Sequence, residues 1–251
     1  MSERDWLGLV RAGMPPFWKA MALDGGGDTW ERDGVVGTLI PAAPKRSVFN
    51  SVFYEDGEAL LASLEELAAA YDEADIEAWT VWVPRGDEAT AAGLEAAGHK
   101  LDANPRAMAM ETADLKEPER EPGLEIREKY DMAAVARLNE IAYGYPAGDF
   151  AAVAATELED MHVYFADLDG ETVGTVALWD YEGDGILAWV ATLPEARGRG
   201  ISTSLSAHAI AEARDRGVET TTLQATKLGY PVYERIGYRD YGVLQMWERR
   251  K

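Results

Sequence analysis

Two stretches of this chain repeat one pattern at an interval of about 139 residues, and that repeat constrains the fold more than any other feature. Residues 77–84 (EAWTVWVP) and 93–99 (GLEAAGH) echo residues 220–238, with Ala97-Gly98-His99 falling on Ile236-Gly237-Tyr238. The apolar runs 107–111 and 243–247 that follow the two copies also correspond. A duplicated unit is the simplest account, and 251 residues are enough for two small domains, each with a core of its own.

The stretch 112–123, TADLKEPEREPG, is rich in charge and proline and has no apolar period, as a linker does. The expected division is a first domain over 1–112, a linker over 113–123 and a second domain over 124–251. In the second domain a short strand at 124–127 precedes a helix capped by Asp131, with Val135, Leu138 and Ile141 on one face, ended by Gly144 and Pro146. Apolar runs at 161–166 and 172–179 flank Asp169-Gly170, a strong hairpin signal, and a third at 186–193 suits a central strand. Ile201, Leu205, Ala209 and Ala213 recur every fourth position in a helix over 201–216, stopped by Gly217. A strand at 220–225, a short helix at 230–235 closed by Gly237 and a strand at 243–247 complete the unit. This alternation predicts an α/β class of the α+β kind, with a mixed sheet.

Composition removes several classes of function. The chain has no cysteine, and His99, His162 and His208 are too scattered to suggest a metal cluster. The run Asp167-Leu-Asp-Gly170 could pass for a calcium loop, but Ala177-Leu178 stand where that loop needs its closing carboxylate. No apolar run approaches the roughly 20 residues of a membrane helix, and the first residues lack a basic region followed by an apolar one, so a cytoplasmic protein is expected. A formal net charge of -21 disfavours nucleic acid, whose phosphates are held by Lys and Arg. That acidity either attracts a cationic amine or solvates the surface.

The segment with chemical content is 189–202, WVATLPEARGRGIS: an apolar strand, a turn with glycines, then a helix start. Glycines let a ligand approach the backbone, and the unsatisfied amides of a first helical turn attract anions. No acidic residue lies between Arg197 and Ser202, so the turn suits a pyrophosphate, with the Arg197 and Arg199 guanidiniums expected beside it. Neither a mononucleotide P-loop nor a dinucleotide fingerprint fits, since no Gly-Lys-Ser/Thr follows and the further glycines are missing.

Arg197-Gly-Arg-Gly-Ile-Ser202 resembles the Gln/Arg-x-x-Gly-x-Gly/Ala signature of the GNAT superfamily of acyl-CoA N-acyltransferases, with Ser202 in place of the final Gly or Ala. Residues 222–238, TLQATKLGYPVYERIGY, look like the closing motif of the same family, although Thr226 and Gly229 stand where relatives often carry Asn and Ala. The resemblance covers the second half, and with the repeat it implies two GNAT-like domains in tandem. It implies an N-acetyltransferase moving an acetyl or other acyl group from acetyl-CoA to a primary amine of a small molecule or peptide, by direct attack in a ternary complex. In that reading Val190, Ala191 and Thr192 run beside the pantetheine arm. The amides of Arg197, Gly198, Arg199, Gly200, Ile201 and Ser202 hold the pyrophosphate. Tyr233 protonates the departing thiolate, and no metal takes part. Asp180, Glu182 and Asp184 are candidate bases.

In the first copy, Glu55-Asp-Gly-Glu58 stands where the phosphate turn belongs, and Leu94 where Tyr233 belongs. Those carboxylates repel a pyrophosphate, so the first half is expected to be a degenerate copy that packs against the second and helps form the acceptor cleft, with Trp18, Trp30 or Tyr54 as contributors. A CoA-binding regulatory module without turnover, and a scaffold without cofactor, are the other readings these residues leave open.

Overall fold

The computed structural model describes residues 4–251. The first half contains α1 (Trp6–Asp24), β1 (Asp28–Arg32), β2 (Val35–Leu39), β3 (Ser51–Tyr54), α2 (Gly57–Glu73), β4 (Ala78–Pro84), α3 (Glu88–Ala96), β5 (Lys100–Ala103) and β6 (Arg106–Glu111). The second contains β7 (Leu124–Glu128), α4 (Met132–Tyr143), α5 (Ala151–Ala154), β8 (Met161–Leu168), β9 (Glu171–Tyr181), β10 (Asp184–Thr192), α6 (Ile201–Asp215), β11 (Thr220–Ala225), α7 (Tyr230–Ile236) and β12 (Arg239–Arg250). The mixed α/β class expected from the alternation of elements is the one observed.

Local chemistry explains the element ends. The Asp131 carboxylate accepts from the Ala134 amide at 3.0 Å and starts α4, while Gly144 ends it in the left-handed region at φ 73°. Asp169 and Gly170 both have positive φ, 54° and 85°, which matches the right-handed twist of the β8–β9 hairpin. One helical expectation is corrected. Ile141 is 51% exposed, because the buried stripe of α4 turns through Val135, Leu138 and Ala142 and leaves Ile141 facing outward.

The strands form one sheet of 12, ordered β1-β2-β3-β4-β12-β6-β11-β10-β9-β8-β7, with β5 also paired to β12. Its centre shows that the halves exchange their last strands. β6, from the first half, lies antiparallel between β11 and the start of β12. The remainder of β12, from Leu244 onward, pairs with β4, and its residues 246–248 also pair with β5, both in the first half. Gly242, at φ 137° beside a register shift, marks the bend where β12 passes from one half to the other. Residues 115–121 form no regular element, and the sheet does not divide there. The strand expected over 243–247 is longer for the same reason, since its two parts complete different halves.

Packing follows the same plan. Leu60, Leu67, Val81 and Leu94 form a core under α2 and α3, and Leu178, Ile201, Leu205 and Leu223 another under α6. On the opposite face one core runs across both halves, joining Met14, Phe17 and Met21 of α1 to Phe49, Trp82, Val135, Phe150, Ile186 and Leu244. Each such side chain contributes about 1.5–3 kcal/mol on burial, so α1 fastens the two halves across the sheet. No helix among the described residues is long and apolar enough to cross a membrane.

Candidate active site

β10 and β11 are parallel neighbours only at their beginnings, where residues 184–186 pair with residues 220–222. Beyond that point β10 carries a bulge against β9 between Ala188 and Ala191, and Trp189 sits at φ 53°, a costly conformation for a bulky residue. Two side chains of α4 hold the bulge: Asn139 Nδ2 donates to the Trp189 carbonyl at 3.3 Å, and Tyr143 Oη to the Val190 carbonyl at 3.0 Å. The strands splay apart and leave a cleft of about 530 Å³.

One end of this cleft is the turn into α6. Gly198 and Gly200 have φ of 79° and 73°, open to glycine and strained for other residues, and no side chain caps the 15-residue helix that follows. Its first amides therefore face the cleft without an internal partner. Thr192 and Ser202 hydroxyls meet at 2.6 Å across the base of the turn. The lining includes Arg197 and Arg235 and no carboxylate or histidine, although the chain as a whole carries a net charge of -21.

Of the residues singled out in the sequence, Val190, Ala191, Thr192, Arg197, Gly198, Gly200, Ile201, Ser202 and Tyr233 all line the cleft. Arg199 does not. Its guanidinium forms an ion pair with Glu121 of the linker at 2.7 Å, so the expectation of two guanidiniums beside an anion is corrected to Arg197 alone from that turn. The Arg197 guanidinium itself donates to the carbonyls of Thr192 and Ala142.

Tyr233 is 8% exposed, packs edge-on against Tyr238 and lies against Gly229, where an added Cβ would come within 3.0 Å of its ring. Burial, and then the neighbouring Tyr143, push the Tyr233 phenol well above its ordinary range, so it stays protonated. Thr226 Oγ1 accepts from the Gly229 amide at 3.2 Å, which fixes the turn before α7. Tyr143, Asn139, Leu228 and Val232 escape sequence reasoning, because nothing in their spacing distinguishes them from ordinary helix and loop residues.

Of the three candidate bases, Glu182 is exposed in the β9–β10 turn and the other two take structural roles. Asp180 pairs with Arg216 at 2.7 Å, and Asp184 is buried and accepts from the hydroxyls of Thr220 and Thr222. Burial raises the Asp184 carboxyl, but it lies five strand residues from Trp189, roughly 17 Å along β10.

In the first half the turn into α2 is capped and crowded, although a cavity of about 550 Å³ lined by Tyr54, Glu55 and Trp82 lies beside β3 and β4. β3 and β4 pair in parallel only at residues 51–52 and 80–81, so these strands splay as well. Tyr54 Oη, however, donates to Asp87 at 2.7 Å across the gap, and a Cβ on Gly57 would fall 2.0 Å from Thr90 Oγ1 where α2 meets α3. Asp56 caps α2 with its own carboxylate, accepting from the amides of Glu58 and Ala59 at 2.7 and 3.3 Å. Leu94, which the sequence repeat aligns with Tyr233, is fully buried. Of the three aromatics considered for an acceptor cleft, Trp18 packs 5.9 Å from Trp189, Tyr54 bridges the first-half gap, and Trp30 lies on edge strand β1.

A splayed parallel pair that leads into an uncapped helix start leaves a cleft whose end suits an anion. Residues 159–240 match the family described as acetyltransferase (GNAT) domain. Among solved structures, a GCN5-related N-acetyltransferase from Kribbella flavida is similar over 93% of this chain and 94% of its own, at 20% identity and a TM-score of 0.69. Another from Sphaerobacter thermophilus matches over 86% and 76%, at 17% identity and a TM-score of 0.64. A tandem GNAT protein from the clavulanic acid biosynthesis pathway matches over 80% and 74%, at 14% identity and a TM-score of 0.56. No curated protein sequence matches this one. Residues 159–240 thus match a GNAT acetyltransferase domain, and the chain as a whole shares the fold of these GNAT structures, the tandem one included.

Proposed function

We propose that the protein is an N-acetyltransferase whose cofactor cleft lies wholly in the second half, and that it passes the acetyl group of acetyl-CoA to a primary amine of a small molecule or peptide within a ternary complex. The observation that carries this reading is the cleft between β10 and β11, which ends at the uncapped start of α6 and is lined by arginine without carboxylate in a strongly acidic protein. The first-half equivalent is bridged, capped and acidic, so only one half is equipped to take a diphosphate.

Acetyl-CoA supplies an activated thioester. The amides of residues 198–202 and the Arg197 guanidinium hold its diphosphate, as helix N-termini hold anions. The edge of β10 that β11 leaves unpaired at residues 190–192 offers backbone groups to an extended arm. Tyr233, kept protonated by burial, gives its proton to the leaving sulfur and regains one from the nitrogen, which becomes cationic on attack and must shed a proton to form the amide. With no carboxylate or histidine among the lining residues, the amine sheds its proton to solvent before attack.

The test is CoA release from acetyl-CoA with spermidine, D-glucosamine and a peptide with a free amino terminus. Turnover of one of these, with normal acetyl-CoA affinity but reduced turnover in Tyr233→Phe, supports the reading. Absence of acetyl-CoA binding sinks it.

A further inference from the structure

Behind the bulge end of the cleft, the first half places a cationic side chain against a segment that packs on the lining residues Tyr143 and Trp189. Arg46 lies in the loop between β2 and β3, which is fixed by Asn50: its amide group donates to the carbonyls of Ala43 and Arg46, and its oxygen accepts from the Ile40 amide. From there Arg46 reaches the segment 144–150 between α4 and α5 in the other half. Its Nε donates to Asp149 at 2.7 Å, and its guanidinium carbon lies 4.3 Å above the centre of the Tyr145 ring. Both charged side chains are about a quarter exposed, so solvent screens the pair only in part.

The segment held in this way borders the reacting end of the cleft. Phe150 packs edge-on against Phe49 of the first half at 4.9 Å and against Trp189 of the bulge at 6.0 Å. Tyr145 stacks on Tyr143, whose hydroxyl holds the Val190 carbonyl. Inside the segment, Glu140 accepts from the amides of Gly148 and Phe150 at 2.8 Å each, which shapes the turn but does not anchor it to the first half. That anchoring comes from Arg46 and Phe49. An arm running from the α6 turn along β10 reaches Thr192 first and Trp189 last, so the wall stands where the acetyl group and the amine meet.

We infer that Arg46 is a positioning residue: it clamps segment 144–150 as the amine-side wall and governs amine binding without touching acyl-CoA. This inference rests on the acetyl-transfer reading for its kinetic consequence, but its structural content can be tested without turnover. In the full chain, Arg46→Ala and Asp149→Asn are expected to speed amide hydrogen exchange across residues 145–150 and to leave exchange at 198–203 unchanged. With whichever of spermidine, D-glucosamine and the peptide the wild type acetylates best, each variant is expected to raise the amine KM by roughly five- to tenfold. The acetyl-CoA dissociation constant should stay within about twofold. Arg46→Lys, which keeps the charge over Tyr145, should recover most of the loss, and the Arg46→Ala, Asp149→Asn double variant should be no worse than either single one. Unchanged exchange at 145–150, or an equal loss of acyl-CoA affinity, overturns the clamp. If the wild type acetylates none of the three amines, the acetyl-transfer reading fails, and the clamp stands or falls on exchange alone.

Discussion

Placing an acid in the second half's phosphate turn, as the first half has, should convert an open site into a closed one. Gly200→Asp is the perturbation. Gly200 precedes α6 at φ 73°, and a Cβ there meets nothing within 4 Å, so the new side chain fits and only the left-handed backbone is strained. That strain costs about 1 kcal/mol, or about 2–4 °C in Tm for a chain of this size. Capping does not offset it, because Asp56 reaches its helix amides from an extended backbone, φ -124° and ψ 124°, which Gly200 does not share. A carboxylate about 5 Å from a diphosphate, at an effective dielectric near 20, opposes binding by about 3 kcal/mol, or two orders of magnitude in Kd. Gly200→Asn has the same shape and strain without the charge and should lose far less. Calorimetric titration with acetyl-CoA reads both variants, and high salt should restore part of the affinity of Gly200→Asp. Equal losses in the two variants, or no loss in Gly200→Asp, would refute the claim that an anion sits at this turn.

Other outcomes follow from the same geometry. Tyr233→Phe should lower kcat by about a hundredfold or more while acetyl-CoA affinity holds within twofold, and near-wild-type turnover would remove the phenol from the mechanism. Because the lining has no titratable base and the Tyr233 phenol is shifted upward, kcat/KM should rise with pH up to the pKa of the free amine without an enzyme limb below it; a limb near pH 6 would reveal a base elsewhere. His99 is buried against Trp79 at 4.6 Å with both ring nitrogens unpaired, and burial, reinforced by Arg249, lowers it to about 4. Its neutral form is favoured in the fold, so the stability it contributes is full above about pH 6.5 and is lost as pH falls toward 4. Relative to the wild type, His99→Phe should lose about 2 kcal/mol less over that range in urea unfolding. Cutting the chain once between residues 116 and 121 should leave the two pieces associated in gel filtration, because each half is completed by the other's strand. Release of a soluble, folded half would contradict the exchange.

The parts of this fold legible in sequence are those governed by neighbours along the chain. The Asp131 cap, the Asp169-Gly170 turn and the helix that starts after Gly200 depend on a few consecutive residues, and all three appear where local rules place them. The cofactor turn is legible for the same reason, since glycine, strand and helix start lie within one short segment. Pairing partners are another matter. Residues 107–111 and 243–247 read equally well as the last strand of their own halves, and only the bend at Gly242 and the register across the sheet decide that they cross over. Arg199 shows the same limit at one residue: its position beside the glycines suggests a ligand, but Glu121, 78 positions away in sequence, takes its charge. Tyr143 reaches the cleft, and Arg46 the segment behind it, through tertiary contacts that no periodicity encodes.

Amide hydrogen exchange with and without acetyl-CoA addresses the central claim most directly. Slowed exchange is expected at residues 190–192 and 198–203, with none at the start of α2, residues 56–60, where Asp56 already holds the amides of Glu58 and Ala59. Slowed exchange at 56–60, or none at 198–203 with saturating ligand, would contradict it.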